Sequence, residues 1–245
     1  MRIFLAGASG AIGRRLAPLL LAAGHTVTGT TRSAGKAEEL RSRGVKPVIV
    51  DVFDAVALRE AVMDARPGVI IHQLTDLPQV LDPARLRGVL ASNSRLRIAG
   101  TANLVAAAQA AGAGRLIAQS IAFAYAEGAE PHVESDPLAS AQGDEPSAIT
   151  ARGVRALEDA VLKAPGMDGI VLRYGRLYGP GTWNTPNARA PLHVDAAAHA
   201  ALLAVTHAAP GIYNIAENDG AVSIDKAGRE LGFDPAFRLK SETAC

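Results

Sequence analysis

The sequence predicts an α/β fold, a doubly wound parallel sheet followed by a small C-terminal lobe. Two observations carry this expectation. Short apolar runs alternate with amphipathic helical segments through the first 173 residues, and glycines or a Pro-Gly pair close the helical segments. A length of 245 residues, 49% hydrophobic and 20% charged, provides for one large domain with a modest appendage.

Taken in order, the strand candidates are Ile3–Ala6, Thr26–Thr31, Pro47–Val50, Val69–Gln73, Arg115–Gln119 and Gly169–Arg173. Helical patterns lie between them at about 11–23, 34–43, 54–65, 84–111 and 147–164. Gly24, Gly44, Pro67-Gly68 and Gly112 mark the helix ends. Strands that alternate with helices require right-handed crossovers, and so a parallel sheet covered on both faces. The polar, Pro- and Gly-rich stretch 126–146 reads as a long loop after the fifth strand, where ligand-proximal loops of such sheets lie. Beyond Arg173 the pattern becomes irregular: a Gly179-Pro180-Gly181 turn, an Ala-rich helix over 194–207, a strand at 211–215 and a last helix at 223–231. The expected division is a nucleotide-binding domain over 1–173 and a dependent substrate lobe over 174–245.

The first strand runs directly into Gly7-Ala-Ser-Gly-Ala-Ile-Gly13, and a helix begins after it. This strand, turn and helix N-terminus form a cradle for a dinucleotide pyrophosphate. Gly7 permits the turn, Gly10 lets backbone approach phosphate, and Gly13 lets the helix lie close to the strand. The free N–H groups and dipole of the helix supply the anion site, so Ser9, Ala11 and Ile12 are expected cofactor contacts along with the glycines. At the end of the second strand, where an acid would accept from a ribose 2′-hydroxyl, the sequence is Thr31-Arg32-Ser33. A guanidinium there suits a 2′-phosphate, favouring NADP over NAD. Asp51-Val52 would meet the adenine edge, and Gln73-Leu74-Thr75 would pass beside the adenosine ribose and phosphates.

Charge is balanced, with 25 Lys+Arg against 24 Asp+Glu, so nothing in bulk electrostatics points to nucleic acid or acidic lipid. The single cysteine, Cys245, excludes a disulfide or a Cys-based metal site within one chain. No apolar stretch is of bilayer-spanning length, and the N-terminus reads as a strand rather than a signal peptide. The expectation is a cytoplasmic protein with a small-molecule substrate, no metal, no nucleic acid and no membrane.

Several motifs in one order resemble the atypical and extended short-chain dehydrogenase/reductases, in the NAD-dependent epimerase/dehydratase group, which have a Rossmann fold. They are the glycine loop, Asp51-Val-Phe-Asp54, Asn93 followed by Gly100-Thr-Ala-Asn-Leu-Val, Leu172-Arg-Tyr-Gly-Arg-Leu-Tyr-Gly-Pro-Gly181, Pro191-Leu-His-Val-Asp195 and Gly211-Ile-Tyr-Asn-Ile-Ala216. The resemblance implies that Asn93, Tyr174 and Gly175 also border the cofactor. It implies a homodimer through the helices near 84–111 and 147–164, whose Ala-rich faces allow close packing.

The resemblance also implies a Ser or Thr, a Tyr and a Lys that relay the substrate proton, the Lys bringing the phenol's pKa down from about 10. That pattern fails here. None of the four tyrosines (125, 174, 178 and 213) has a lysine four residues on. Aligning the helix on Glu158 puts Thr150 in the Tyr place and Val154 in the Lys place. The hydroxyl place falls on Ile121, one residue after Ser120. Ser120 and Tyr125 are the remaining candidate proton donors. Arg152 and Arg155 lie close by, as phosphate or substrate-acid contacts or as a solvated helix face. His72 reads as a core histidine and His193 as structural, while His199 and His207 suggest no metal site. Trp183, in the Gly-Thr-Trp-Asn turn, is either a substrate lid or packing. Two functions fit: an NADP-dependent oxidoreductase or epimerase-like enzyme on a small carbonyl or hydroxyl compound, or a non-catalytic NADP-binding sensor or partner-binding protein. A sugar nucleotide is disfavoured, because the short C-terminal lobe lacks a basic cluster for a second pyrophosphate.

Overall fold

Side chains along each strand alternate between two apolar layers, and that alternation builds the domain. In the computed structural model, which describes residues 1–78, 82–182 and 184–239, β1 (Arg2–Ala6) sends Ile3 and Leu5 to one face and Phe4 and Ala6 to the other. Trp183 and Cys245 lie outside the described residues.

The chain continues as α1 (Gly13–Ala22), β2 (Thr26–Thr31), α2 (Ala34–Ser42), β3 (Lys46–Ile49), α3 (Ala55–Ala65) and β4 (Val69–His72). Next come α4 (Leu86–Arg95), a π-helical turn (Leu96–Gly100) and α5 (Thr101–Ala110), then β5 (Arg115–Ile121), α6 (Pro146–Leu162) and β6 (Asp168–Tyr174). The remainder is β7 (Arg176–Tyr178), β8 (Pro191–His193), α7 (Val194–Ala204), β9 (Gly211–Ile215) and α8 (Asp225–Leu231).

Seven strands form one sheet in the order β3-β2-β1-β4-β5-β6-β9, with every pairing parallel. The strand order reverses between β1 and β4, the position at which such sheets open a ligand crevice. One face is covered by α1, α2, α7 and α8 and the other by α3, α4, α5 and α6. Burial on both faces explains why strands such as Ile70-Ile71 and Ile117-Ala118 read as continuous apolar runs. The fold is the doubly wound sheet expected from the sequence.

Three local differences matter for the site. The single helix expected over 84–111 is divided by the π-helical turn, a feature with no residue signature that accompanies functional sites in many proteins. Strand β5 runs to Ile121, two residues past its expected end, because its register with β6 continues from Arg115↔Asp168 to Ile121↔Tyr174. Ser120 is therefore a strand residue. The 174–245 segment also does more than form a lobe: β9 adds the seventh strand beside β6, while β7 and β8 make a separate two-stranded ribbon. Helix α7 owes its tight seat on α1 to buried Ala196, Ala197, Ala200 and Ala201, and Arg15 bonds Asp195 at 2.6 Å across the same junction.

His72, at the end of β4, is a core histidine. Its Nδ1 accepts from the Leu74 N–H (3.2 Å), so its Nε2 carries the proton toward Thr101 Oγ1 (3.0 Å). Burial, with the nearby Arg97 charge, lowers its pKa to about 4. An unfolded His72 binds its proton below about 6.5, whereas the folded one resists protonation until about 4. The stability held above that window is therefore lost as pH falls through it, by up to about 3 kcal/mol. Urea titrations at pH 7 and pH 4.5 should show this loss in the wild type and a smaller one in His72→Gln; equal losses would remove His72 from the account.

Candidate dinucleotide and substrate site

The glycine loop fits a dinucleotide because its own backbone leaves no room for side chains. Gly7 has φ +89°, and a Cβ there would lie 2.8 Å from the Gln73 carbonyl carbon; one on Gly13 would lie 2.2 Å from the Gly7 carbonyl oxygen. The Gly7 N–H donates to Thr30 Oγ1 and the Gly10 N–H to the Gly7 carbonyl, which fixes the turn. Among the described residues the N–H groups of Ala11 and Ile12, just ahead of α1, have no acceptor. Ser9 Oγ donates to Thr31 Oγ1 (3.2 Å), joining the loop to the end of β2. Across the crevice, Gln73 Oε1 is buried and accepts from no described residue, while its Nε2 donates to the Tyr174 hydroxyl at 3.2 Å. A buried acceptor without a donor is costly, and an amide or ribose hydroxyl of a bound dinucleotide would satisfy it.

The other predicted cofactor positions flank this crevice. Arg32 is exposed and makes a loose ion pair with Asp76 at 3.6 Å. Asp76 also accepts from the Ser92 hydroxyl, and its N–H donates to Asn93 Oδ1 (3.0 Å). Asn93 thus holds the Leu74–Asp76 backbone in place, with Thr75 exposed between. Asp51 caps its own turn through the Phe53 N–H, and the Val52 carbonyl accepts from Asn103. The Tyr174 phenol is fully buried, and burial pushes its pKa up. It lies under the crevice floor as a neutral group, and Gly175 follows it into β7.

Two of the three expected proton-relay positions are apolar. Ile121, in the hydroxyl place, and Val154, in the Lys place, pack together with Ala124 and Leu138. The Thr150 hydroxyl, in the Tyr place, donates to the Pro146 carbonyl one turn back. Arg152 and Arg155 donate to the carbonyls of Ala141, Gly143, Leu138 and Ala139, and so tie the loop ahead of α6 to that helix rather than reaching a ligand.

A buried network occupies the space beside them. Glu158 Oε1 accepts from Ser120 Oγ (2.7 Å), and its two oxygens accept from Arg173 Nε (2.9 Å) and NH2 (2.7 Å). Arg173 NH1 donates to the Tyr125 hydroxyl (2.9 Å) and the Glu134 carbonyl (3.2 Å), and Tyr125 donates to Asn214 Oδ1 (2.6 Å). The hydroxyl protons of both candidate donors, Ser120 and Tyr125, are thus already committed. Burial, outweighing Arg173, raises the Tyr125 pKa and keeps the phenol protonated. Arg97, buried on the π-helical turn, forms no ion pair with a described residue; burial lowers its guanidinium to about 10 against the opposing pull of Glu158.

Sequence reasoning used Glu158 only as an alignment anchor and missed Arg173 and Arg97. A signal existed for Arg173, a charge inside an otherwise apolar strand. Arg97 had none, because the π-helical turn that orients it is invisible in the residue pattern. His193 accepts from the Asp195 N–H and meets Tyr178 edge-on, and His199 stacks on Phe237, so both act within the C-terminal packing. Among the described residues no His, Cys, Asp and Glu cluster could hold a metal, and no helix is long and apolar enough to cross a membrane.

A doubly wound sheet with a glycine cradle at its crevice defines a dinucleotide-binding protein. The family profile described as "NAD dependent epimerase/dehydratase family" matches residues 3–191, and the chain belongs to that family. It is 38% identical to the 3-diazoavenalumate denitrifying reductase of a Streptomyces species, over all of this chain and 86% of that protein. The fold is shared with UDP-glucose 4-epimerase of Thermotoga maritima, solved with UDP-glucose (TM-score 0.78, 19% identity, 97% of this chain and 94% of that one). It is also shared with dTDP-glucose 4,6-dehydratase of Streptomyces venezuelae, solved with NAD (TM-score 0.75, 18% identity, 98% and 93%).

Removing the Glu158 carboxylate would strand Arg173 in the core. Glu158→Ala should cost about 3–5 kcal/mol in urea unfolding, and the double replacement Glu158→Leu/Arg173→Met should recover much of it. A single-variant loss below about 1 kcal/mol would show that the pair is not buried as described.

Proposed function

We propose that this chain is an NADP-dependent reductase that delivers hydride to a small electrophile whose reduction needs no proton from a side chain. One observation carries the reading. The dinucleotide cradle is intact, while the relay positions Ile121 and Val154 are apolar and both nearby hydroxyl protons are held in a structural network.

The dinucleotide would be held at its pyrophosphate by the Gly7–Gly13 loop and the start of α1, with Gln73 beside it and Asp51 and Val52 toward the adenine. Preference for the 2′-phosphate rests on Arg32, which has no acid of its own strand beside it. Its loose partner Asp76 would be displaced by a phosphate dianion. Lys36, beside Ser9 on the same side of the loop, adds positive charge, while Arg14 there is paired with Glu39 at 3.2 Å. When bound, the reduced cofactor supplies two electrons and one hydrogen as hydride, enough to convert an arenediazonium to the arene with loss of N2 and no added proton.

The reductase relative, described as acting on a diazo compound with loss of nitrogen, supports that substrate chemistry for this chain. In this reading Ser120 and Tyr125 are positioning residues. Ser120 fixes Glu158, and Tyr125 holds the 122–139 loop over the ends of β5 and β6. Arg97 keeps the interior beneath the crevice positive, which disfavours a second buried cation such as the missing lysine.

Two measurements test this. NADPH should bind more tightly than NADH by fluorescence titration, and Arg32→Ala should remove the difference; equal wild-type affinities would contradict the 2′-phosphate assignment. With an arenediazonium carboxylate as substrate, Tyr125→Phe should keep enzyme-dependent NADPH oxidation within a few-fold. A loss of about 10²–10⁴-fold, typical of a removed general acid, would restore Tyr125 as the proton donor. Absence of NADPH oxidation with every electrophile would instead favour a binding protein.

A further inference from the structure

Beyond the C-terminal ends of β5, β6 and β9 lies a cavity of about 280 Å³. Its wall residue Arg176 lies two residues after Tyr174, which accepts a hydrogen bond from Gln73 at the cradle. Its size is at the lower end for small-molecule sites, fit for one ring with a short side chain and too small for a nucleoside diphosphate sugar.

The wall is mixed: Ala122, Ala190, Ala221 and Val222 give its apolar part, and Glu127, Glu130, His132, Arg176 and Arg189 its polar part. Ala190 itself is held at φ +47°, an unfavourable conformation for a residue with a Cβ, of the kind that clusters at functional sites. Flat surfaces come from Phe123 and from Tyr125, which stacks on His132 at 4.8 Å with the rings 13° from parallel.

Two arginines stand on this wall, and one of them has no ion-pair partner among the described residues. The Arg176 guanidinium lies 4.2 Å from the centre of the Phe123 ring, and no described carboxylate is within ion-pair distance of it. The other arginines nearby are neutralised: Arg189 by Glu130, Arg173 by Glu158 and Arg238 by Glu217. Of the acids on the wall, Glu130 is taken by Arg189 and Glu127 is exposed to solvent. Partial burial lowers the Arg176 pKa, and no described carboxylate offsets it. A guanidinium over a ring offers a planar set of donors matched to a carboxylate.

We infer that Arg176 anchors a substrate carboxylate and that the cavity selects small, planar aromatic acids, with the ring against Phe123 and the Tyr125–His132 stack. The assignment deepens the reductase reading, since it names the substrate class for the same cleft, but its test does not depend on turnover.

The probes are trans-cinnamate and its uncharged isostere cinnamamide, titrated calorimetrically into the protein saturated with NADP⁺. Cinnamate should bind about tenfold or more tightly than the amide, the difference expected from a charge-assisted pair. Arg176→Met, which keeps an apolar stem on Phe123, should bring cinnamate down to the level of the amide while leaving NADP⁺ affinity and Tm unchanged. Arg189→Met, which removes an already paired charge from the same wall, should keep the preference for the acid. Equal binding of acid and amide, no binding of cinnamate to the wild type, or full cinnamate affinity in Arg176→Met would each overturn the anchor. The reductase reading fails separately, by absence of NADPH oxidation while cinnamate binding and its Arg176 dependence persist.

Discussion

The upper half of the site depends on the ion pair between Glu158 and Arg173. Both side chains are almost wholly buried, at 6% and 4% exposure, so each charge is tolerated only because the other is there. The pair draws in what surrounds it. Ser120 completes the carboxylate's acceptors from β5, and Tyr125 and the Glu134 carbonyl complete the guanidinium's donors from the long loop. Asn214, from β9, then closes the chain through Tyr125 and through its own N–H to Glu134 Oε1 (2.9 Å). One pair thus joins α6, β5, β6, β9 and the loop that forms the roof of the substrate cavity. In this network the Ser120 and Tyr125 hydroxyls donate to Glu158 and Asn214.

The same pair bears on positions 121 and 154. A lysine at position 154, one turn before Glu158, would add a third buried cation to Arg97 and Arg173, with Glu158 already shared. Valine there, with isoleucine at 121, turns a polar relay into a small apolar cluster that supports the sheet ends. The family's fold and glycine cradle are present beside apolar residues at 121 and 154, and function resides in the site rather than the fold.

Much of the fold could be read from the residues because it rests on local rules. Runs such as Ile70-Ile71 are apolar on both faces because a parallel sheet is buried on both, and Gly7 and Gly13 announce their turn through steric necessity. The empty relay was legible too, since a missing Tyr-Lys spacing needs no structure to be seen. What escaped depends on contacts distant in sequence. The role of Ser120 is set by a carboxylate 38 residues away, and that of Tyr125 by an asparagine 89 residues away. Arg176 gains meaning only when the whole wall is assembled and every other cation on it is seen to be paired.

The central claim is that hydride moves in this cleft without a proton in flight. A single-turnover comparison of NADPH oxidation by an arenediazonium carboxylate in H₂O and D₂O, repeated with C4-deuterated NADPH, tests it directly. Hydride transfer without a proton donor gives the same rate in both solvents and a slower rate with the deuterated cofactor. A rate that falls in D₂O would place a proton donor in the transition state and contradict the account.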